Sequence, residues 1–535
     1  PLMGNSIFSN TGKLSRFILR LDRIRAPLWI IGLALFSLIV PPAYDSLYPT
    51  QEDRDTMVET MANPAMTAMM GTGDLENYTI GAMTAHQMLV MTAVLAGLMA
   101  ILLVTKHTRA DEEDGRIEMI RSLPVGRLSY LNATLLVTSG TFITLALVTG
   151  FGLYGLGIES LDLEGSLLYG AVLGGTGLVF TGITAIFAQI SESSRGTIGW
   201  SIAILLFAYL FRAVTDISNE ALSWLSPIGW ASKAEVYSSN NWGPIVLMVG
   251  VSIILFIIAN YLNSIRDLEQ GFIAAKPGRS FASRFLQSPI GLAFRLQRTG
   301  FISWAIGMFV LGASYGSIFG DLESFFEGNE MYMQMLQLSE GSSIAEQFIP
   351  TLMIVISLIA TVPAVMAMNK LRGEEKKNRL DHLLGRAVSR YKLIGSYVVI
   401  AIVNGFVMIS LSAIGLWSAA TSVMEEGFDF GMIYGAAIVF YPAMLVMIGI
   451  VALLNGFLPR LTYLIWIYFI YSFFVLYLGN LMQFPEWIGK LSPFGYVPKV
   501  PIEDATFMPM FLLTVLAIVL MAISFVCFRR RDIEN

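Results

Sequence analysis

Long apolar runs separated by short polar joints dominate the chain. A helix needs about 20 apolar residues to cross a bilayer. Runs of that order fall near 27–44, 84–105, 132–157, 167–190, 197–214 and 244–263, then near 300–320, 347–369, 393–417, 432–456, 461–482 and 506–528. They predict an all-α polytopic membrane protein with about twelve transmembrane helices in two sets of six. Ahead of the first run, Leu14, Phe17, Ile18 and Leu21 share one helical face, with Lys13, Arg16, Arg20 and Arg23 elsewhere. That pattern predicts an amphipathic helix lying on the membrane. Its polar, then basic, start predicts no cleavable signal peptide.

The polar joint after the second run of each set recurs. Residues 109–127, RADEEDGRIEMIRSLPVGR, return 263 positions later at 372–390 as RGEEKKNRLDHLLGRAVSR. Arg109, Glu112, Arg116 and Arg127 meet Arg372, Glu375, Arg379 and Arg390, while Asp111 meets Glu374 and Glu118 meets Asp381. Two other landmarks repeat. Arg20, Leu21, Arg23, Trp29 and Gly32 reappear as Arg295, Leu296, Arg298, Trp304 and Gly307, and LSPIGW at 225–230 returns as LSPFGY at 491–496. Six spans per half is an even number, so the two halves run parallel rather than inverted. The expected organisation is a first six-helix half with its interfacial helix at 1–263, a cytoplasmic linker with a second interfacial helix at 264–298, and a second half at 299–535.

Composition agrees with this class: hydrophobic residues make up 55% of the chain and charged residues 14%, and mean hydropathy is +0.66. A net charge of -5 implies no nucleic acid. Cys527 is the single cysteine, which excludes an internal disulfide, and His86, His107 and His382 are too scattered to suggest a metal site. The apolar runs hold no Asp, Glu or Lys, and their one arginine, Arg212, stands at an outer end. Transporters driven by ions usually keep ionisable residues at membrane depth, so energy is expected from elsewhere. No G-x-x-x-x-G-K-[ST] phosphate loop is present. The chain is therefore expected to be a transport subunit, not an enzyme.

Charge placement gives the orientation. With the charged repeats inside, 29 of the 34 Lys and Arg are cytoplasmic, and only Arg54, Arg212, Lys233, Lys490 and Lys499 fall outside. Asp321, Glu323, Glu327, Glu330, Glu340 and Glu346 stand between the seventh and eighth runs without a base among them. By the positive-inside rule both termini, both repeats and the linker are cytoplasmic.

Each repeat has the makings of a docking helix. Ile117, Ile120 and Leu123 in the first copy, and Leu380, Leu383 and Leu384 in the second, lie at helical spacing and could fill a groove on a soluble partner. Arg109, Glu112, Arg116, Glu118, Arg121 and Arg127, with Arg372, Glu375, Arg379, Asp381 and Arg390, would then fix register by charge pairs at the rim. The alternative is that these arginines are ordinary positive-inside anchors paired locally. Asn378, Ala387, Lys376 and Lys377 replace Gly115, Pro124, Glu113 and Asp114, so the second helix is expected to run differently and to present opposite charge.

Other candidates are fewer. Ser226, Pro227, Gly229 and Trp230, with Ser492, Pro493, Gly495 and Tyr496, mark turns ending short outer helices that dip into the bilayer. Such broken backbone needs cover by protein or water, and the turns are either an outer gate or purely structural. Met83, Met88 and Met91 belong to a methionine-rich stretch that either lines an exit path for apolar molecules or fills the core. Gly150, Gly152, Gly155, Gly157, Gly170, Gly174, Gly175 and Gly177 predict close helix approach.

The string EEDGRIE at 112–118, followed by SLPVGR at 122–127, resembles the hallmark of type-two ABC exporter permeases. It is most similar to the duplicated twelve-span kind described as exporters of polyketide antibiotics, and the LSPxG-aromatic turn belongs to the same pattern. The resemblance implies that the loop after the second span carries a coupling helix that docks on an ATP-binding-cassette subunit. It further implies two copies of that ATPase per permease, with ATP and Mg on the partner and no cofactor on this chain. The implied setting is a bacterial-type plasma membrane, and the implied cargo a hydrophobic or amphiphilic compound such as an antibiotic, with lipids or cell-wall precursors as alternatives. Two other classes stay open. An ion-coupled secondary transporter would stop when the proton gradient collapses, and a non-transporting assembly or sensory protein would copurify with no ATPase.

Overall fold

The structure, a computed structural model, describes residues 6–62, 64–274, 276–321, 344–424, 427–482 and 484–533. Its regular elements there are helical, apart from one isolated bridge between Ser191 and Ile273. Twelve helices among the described residues are long and apolar enough to cross a membrane: spans one to six are Arg25–Leu47, Ile80–Glu113, Ser129–Gly155, Leu163–Ile190, Ser194–Ser218 and Gly243–Ile265. Spans seven to twelve are Pro289–Ser317, Ala345–Lys376, Arg390–Val423, Phe430–Phe457, Pro459–Tyr477 and Phe507–Arg530. The chain is a multi-pass helical membrane protein. Of the acidic residues between spans seven and eight, Glu323, Glu327, Glu330 and Glu340 lie outside the described residues.

The helices outrun the apolar stretches at their polar ends. Span two continues into the charged repeat, loosening to π winding over Lys106–Ala110. Span five takes in Asp216, so Arg212 is not a lone charge: the two side chains pair at 2.8 Å, both 1% exposed or less.

The chain forms two compact units, Pro1–Pro277 and Gly278–Asn535. In the first, spans two and four are 67% and 72% buried while spans one and six are 22% and 17% buried, which makes two and four the core and leaves the outer helices an apolar surface for lipid. In the second unit, spans eight and ten, at 67% and 61%, take the same places.

Glycine decides which spans touch most closely. A Cβ on Gly170 would stand 2.1 Å from the Ala146 carbonyl oxygen, and one on Gly177 2.2 Å from the Phe142 ring, so spans three and four meet with almost no side chain between them. Gly155 and Gly157 have nothing within 4 Å and do not serve this contact. In the second unit the closest approach involves a different pair. Gly312 and Gly316 of span seven would meet the carbonyl oxygens of Ser412 and Leu416 in span nine at 2.1 and 2.3 Å. Leucine at Gly170 or Gly312 must wedge a backbone contact apart, which costs about 1–3 kcal/mol or more. Melting in detergent is expected to fall for both, with Gly155→Leu unchanged as the control.

The N-terminal amphipathic helix is Thr11–Leu21. Leu14 and Ile18 pack on Ile117, Tyr130, Ala133 and Val137, whereas Phe17 and Leu21, each 45% exposed, stay outside. The single apolar face expected from spacing is thus divided between protein and surroundings. In the second unit no break separates the corresponding segment from its span: Pro289–Ser317 is one helix, with Pro289 in the first turn, where its missing N–H costs nothing.

Candidate functional site

At the end of span two, along and just past the π winding at Lys106–Ala110, the charged side chains of Arg109, Asp111 and Glu112 are buried. Glu112 accepts both guanidinium Nη atoms of Arg266, at 2.6 and 2.9 Å, together with the Glu269 backbone N–H at 2.6 Å. Arg109 lies 3.3 Å from the same carboxylate and donates from Nε and Nη2 to the Ala188 carbonyl at 3.0 and 2.6 Å. Arg266 also donates to the Gln189 side chain at 2.9 Å. An Arg–Glu–Arg clasp thus joins the end of span two, the end of span four and the chain just past span six.

A second carboxylate lies beside it. Asp111 accepts from Arg116 at 2.7 Å and from the Tyr130 hydroxyl, which raises the Arg116 guanidinium above its ordinary pKa. His107 Nδ1 stands 3.6 Å from Asp111, too far for a hydrogen bond, and its Nε2 meets Asp22 at 2.6 Å, where Lys106 also binds at 2.9 Å. Asp22 separates the amphipathic helix from span one. Burial alone would raise its carboxyl, but hydrogen bonds and charge from His107 and Lys106 outweigh burial and hold its pKa below the ordinary 3.8. A folded-state value below the unfolded one gives stability that is full above the ordinary carboxylate range and is lost as pH falls through the folded value. Wild type and Asp22→Asn are therefore expected to melt apart at neutral pH and to converge as pH falls below the folded-state value.

The second unit repeats the clasp. Glu375 accepts both Nη atoms of Arg531 at 2.7 and 2.8 Å, with Arg372 at 3.6 Å, and Arg531 donates to the Asn455 carbonyl at 3.1 Å. Glu374 faces Arg379 at 3.4 Å, as Asp111 faces Arg116. Arg127 and Arg390 donate to the carbonyls of Arg266 and Arg531 respectively. Arg266 and Arg531 were not among the expected residues. Their one signal is the Arg-Asp pair at 266–267 and 531–532, just past the last span of each half.

This geometry redistributes the expected docking residues. Arg109, Glu112 and Glu375 were expected at the rim of a contact, but they are 1%, 4% and 1% exposed and are spent inside the clasp, as is Arg372 beside Glu375. Ile117 and Leu380, expected on the docking face, are buried too, with Ile120 and Leu383 half-buried. Arg116, Glu118, Arg127, Arg379 and Asp381 are exposed, and Arg390 is half-buried. The outward apolar residues of the first short helix, Arg116–Arg121, and its exit are Met119, 70% exposed, and Leu123, 58% exposed. Their repeat counterparts, His382 and Arg386, are also exposed, so the first copy shows an apolar surface and the second a basic one.

The backbones of the two copies do not diverge as expected. Gly115 and Asn378 both adopt left-handed backbone, at φ +71 and +54, because Asn is among the few side-chain-bearing residues that tolerate it. The exits match as well: Val125 N–H donates to Leu123 and Val388 N–H to Arg386, each at 2.7 Å.

At the opposite end of the first unit, Ser226 donates to the Ala208 carbonyl of span five, and Trp230 Nε1 to the Trp224 carbonyl, both at 2.6 Å. A Cβ on Gly229 would lie 2.3 Å from the Ser223 carbonyl oxygen, so the turn after Pro227 closes tightly. In the second unit Ser492 bonds Ser472 of span eleven at 2.8 Å, and Gly495 N–H donates back to Ser492 at 3.1 Å. Pro493 is buried and Tyr496 48% exposed. The three methionines do not line one path: Met83 is fully buried, Met88 half-buried and Met91 47% exposed.

A family model described as Multidrug efflux system permease Rv1217c, C-terminal domain, matches residues 14–262 and 286–529. The chain is 31% identical over 532 residues to the Multidrug efflux system permease protein Rv1217c of Mycobacterium tuberculosis (strain ATCC 25618 / H37Rv), covering 98% of this chain and 96% of that protein. One matched stretch falls in each half, and the clasp arginines Arg266 and Arg531 lie just past the two ends. This chain belongs to the family of the multidrug efflux system permease Rv1217c.

Proposed function

We propose that the chain is the membrane-spanning permease of an ATP-driven ABC exporter of hydrophobic or amphiphilic compounds, with both charged loops and both termini in the cytoplasm of a bacterial-type cell. The reading rests above all on the duplicated loop, in which a buried clasp braces a short helix whose outer surface in the first copy, Met119 and Leu123, is largely exposed among the described residues. An exposed apolar pair on a rigid loop outside the membrane suits a soluble protein. The sequence has no phosphate loop of its own, so the partner is the ATPase, which holds ATP and Mg. The efflux role of the named relative and the type-two resemblance support the same assignment. The turns at 226–230 and 491–496 are then candidates for an outer gate.

Two docking loops call for one permease with two ATPase subunits. Native mass spectrometry of the complex purified through a tag on the permease is expected to show that composition. A lone permease, or a stable one-to-one assembly, would count against the reading.

A further inference from the structure

A cavity of ≈350 Å³ opens in the first unit between the outer end of span two, the loop around Asp74 and the short helix Gly229–Lys233 that follows the LSPIGW turn. That is at the lower end of the volume range of small-molecule sites. One wall is apolar, with Ala82, Ala85, Leu89 and Val236, and the rim carries three carboxylates, Asp74, Glu220 and Glu235, with no Lys or Arg among the lining residues. We propose that this cavity binds an organic cation, a quaternary or protonated nitrogen on a small apolar body.

The charge at the rim is not cancelled from within. Glu220 pairs with Lys233 at 3.0 Å, but Asp74 accepts from the Ser238 hydroxyl at 2.8 Å and Glu235 from the Ser239 hydroxyl. His86 forms part of the wall and adds no positive charge. Its Nε2 lies 3.0 Å from the Gly71 carbonyl oxygen, to which it must donate, while Nδ1 lies 2.8 Å from the Tyr78 hydroxyl. That hydroxyl also accepts from Gln87 at 3.1 Å, and only with its own proton on Nδ1 does every donor of this buried group find an acceptor, which is the neutral ring. Two carboxylates facing a low-dielectric wall favour a cation over a neutral body of the same shape.

The site is also preformed. Arg212 donates to the carbonyls of Thr67 and Ala68, and Tyr209 to that of Met69 at 2.6 Å, which ties the segment before Asp74 to span five. The Ser238 contact to Asp74 joins the two loops that carry the unpaired carboxylates. Little ordering remains for a ligand to impose, which favours affinity.

The proposal adds a ligand class to the efflux reading and rests on it only for physiological meaning. Binding is therefore measured on the permease alone, without ATPase, in phosphatidylglycerol nanodiscs. The probe is the fluorescent cation dimethylaminostyryl-methylpyridinium, and its neutral desmethyl pyridine is the comparison. Saturable binding of the cation is expected, weakened about tenfold or more by Asp74→Asn with Glu235→Gln, with the neutral analogue unaffected by that change. Ala85→Trp, which fills the cavity, is expected to remove binding of both. Equal cation affinity in the double variant, or no saturable binding by wild type, overturns the proposal. Nanodiscs containing phosphatidylethanolamine separate two sources of the cation: weaker probe binding there identifies a lipid headgroup as occupant, and unchanged binding a free cation. If the exporter reading fails, transport is absent while probe binding persists. If the cavity assignment fails, transport survives with the double variant indistinguishable from wild type in both readouts.

Discussion

Glu112→Ala is expected to abolish drug efflux and to lower the melting temperature of the purified permease sharply. The substitution leaves Arg109 and Arg266, whose side chains are 1% and 6% exposed, facing each other without a counter-charge. Removing one member of a buried ion pair costs about 3–5 kcal/mol, against a total stability on the order of 5–15 kcal/mol for a folded domain. Glu375→Ala is expected to act alike through Arg372 and Arg531, whereas Glu118→Ala, at an exposed position, leaves melting unchanged. A further variant separates bracing from mere stability. Replacing Arg109, Glu112 and Arg266 together by Met, Leu and Met removes every charge, and such apolar substitutions are often neutral or stabilising. Restored melting without restored efflux is the expected result, and recovered efflux would show that the clasp matters only for folding.

Met119→Asp with Leu123→Asp is expected to prevent capture of the ATPase while leaving melting unchanged, since both side chains are already mostly exposed. Apolar anchors at the centre of an interface typically cost about 2 kcal/mol or more each when lost, so the pair can weaken binding by roughly three orders of magnitude. The second loop presents His382 and Arg386 at these positions, with Lys376 and Lys377 close by in sequence. Its contact is expected to weaken as salt rises, through screening, while the first loop's contact is insensitive. Pull-downs at low and high salt with each loop disabled in turn measure this, and equal salt dependence would remove the distinction.

The spans were legible because a bilayer imposes its thickness on any sequence that crosses it. The run read at 244–263 is helix Gly243–Ile265, and that at 506–528 is Phe507–Arg530. The duplication was legible for a similar reason, since charged residues between apolar runs stand out. The clasp was not. Arg266 is 154 residues from Glu112, and no local periodicity links positions so far apart. The face of the short helix was only partly legible: spacing groups Ile117 with Ile120, but not which side meets the rest of the fold, and the left-handed Gly115 starts the helix afresh, so its direction cannot be extrapolated from span two. Ile117, read as docking, went inward, and Met119, passed over, came out. Asn378 was misread because a change of residue type was taken for a change of backbone.

The glycine contacts carry a mechanical consequence. Where two helices meet with almost no side chain between them, neither can slide without breaking close packing, so the pair is expected to move as one body. In the first unit spans three and four are such a pair, and in the second spans seven and nine and, through Gly456, whose Cβ would stand 2.5 Å from the Ser524 carbonyl oxygen, spans ten and twelve. An equal displacement of the two clasps is therefore expected to move non-equivalent helices in the two units. The loops repeat, but the placing of a few glycines decides which helices of each unit must move together.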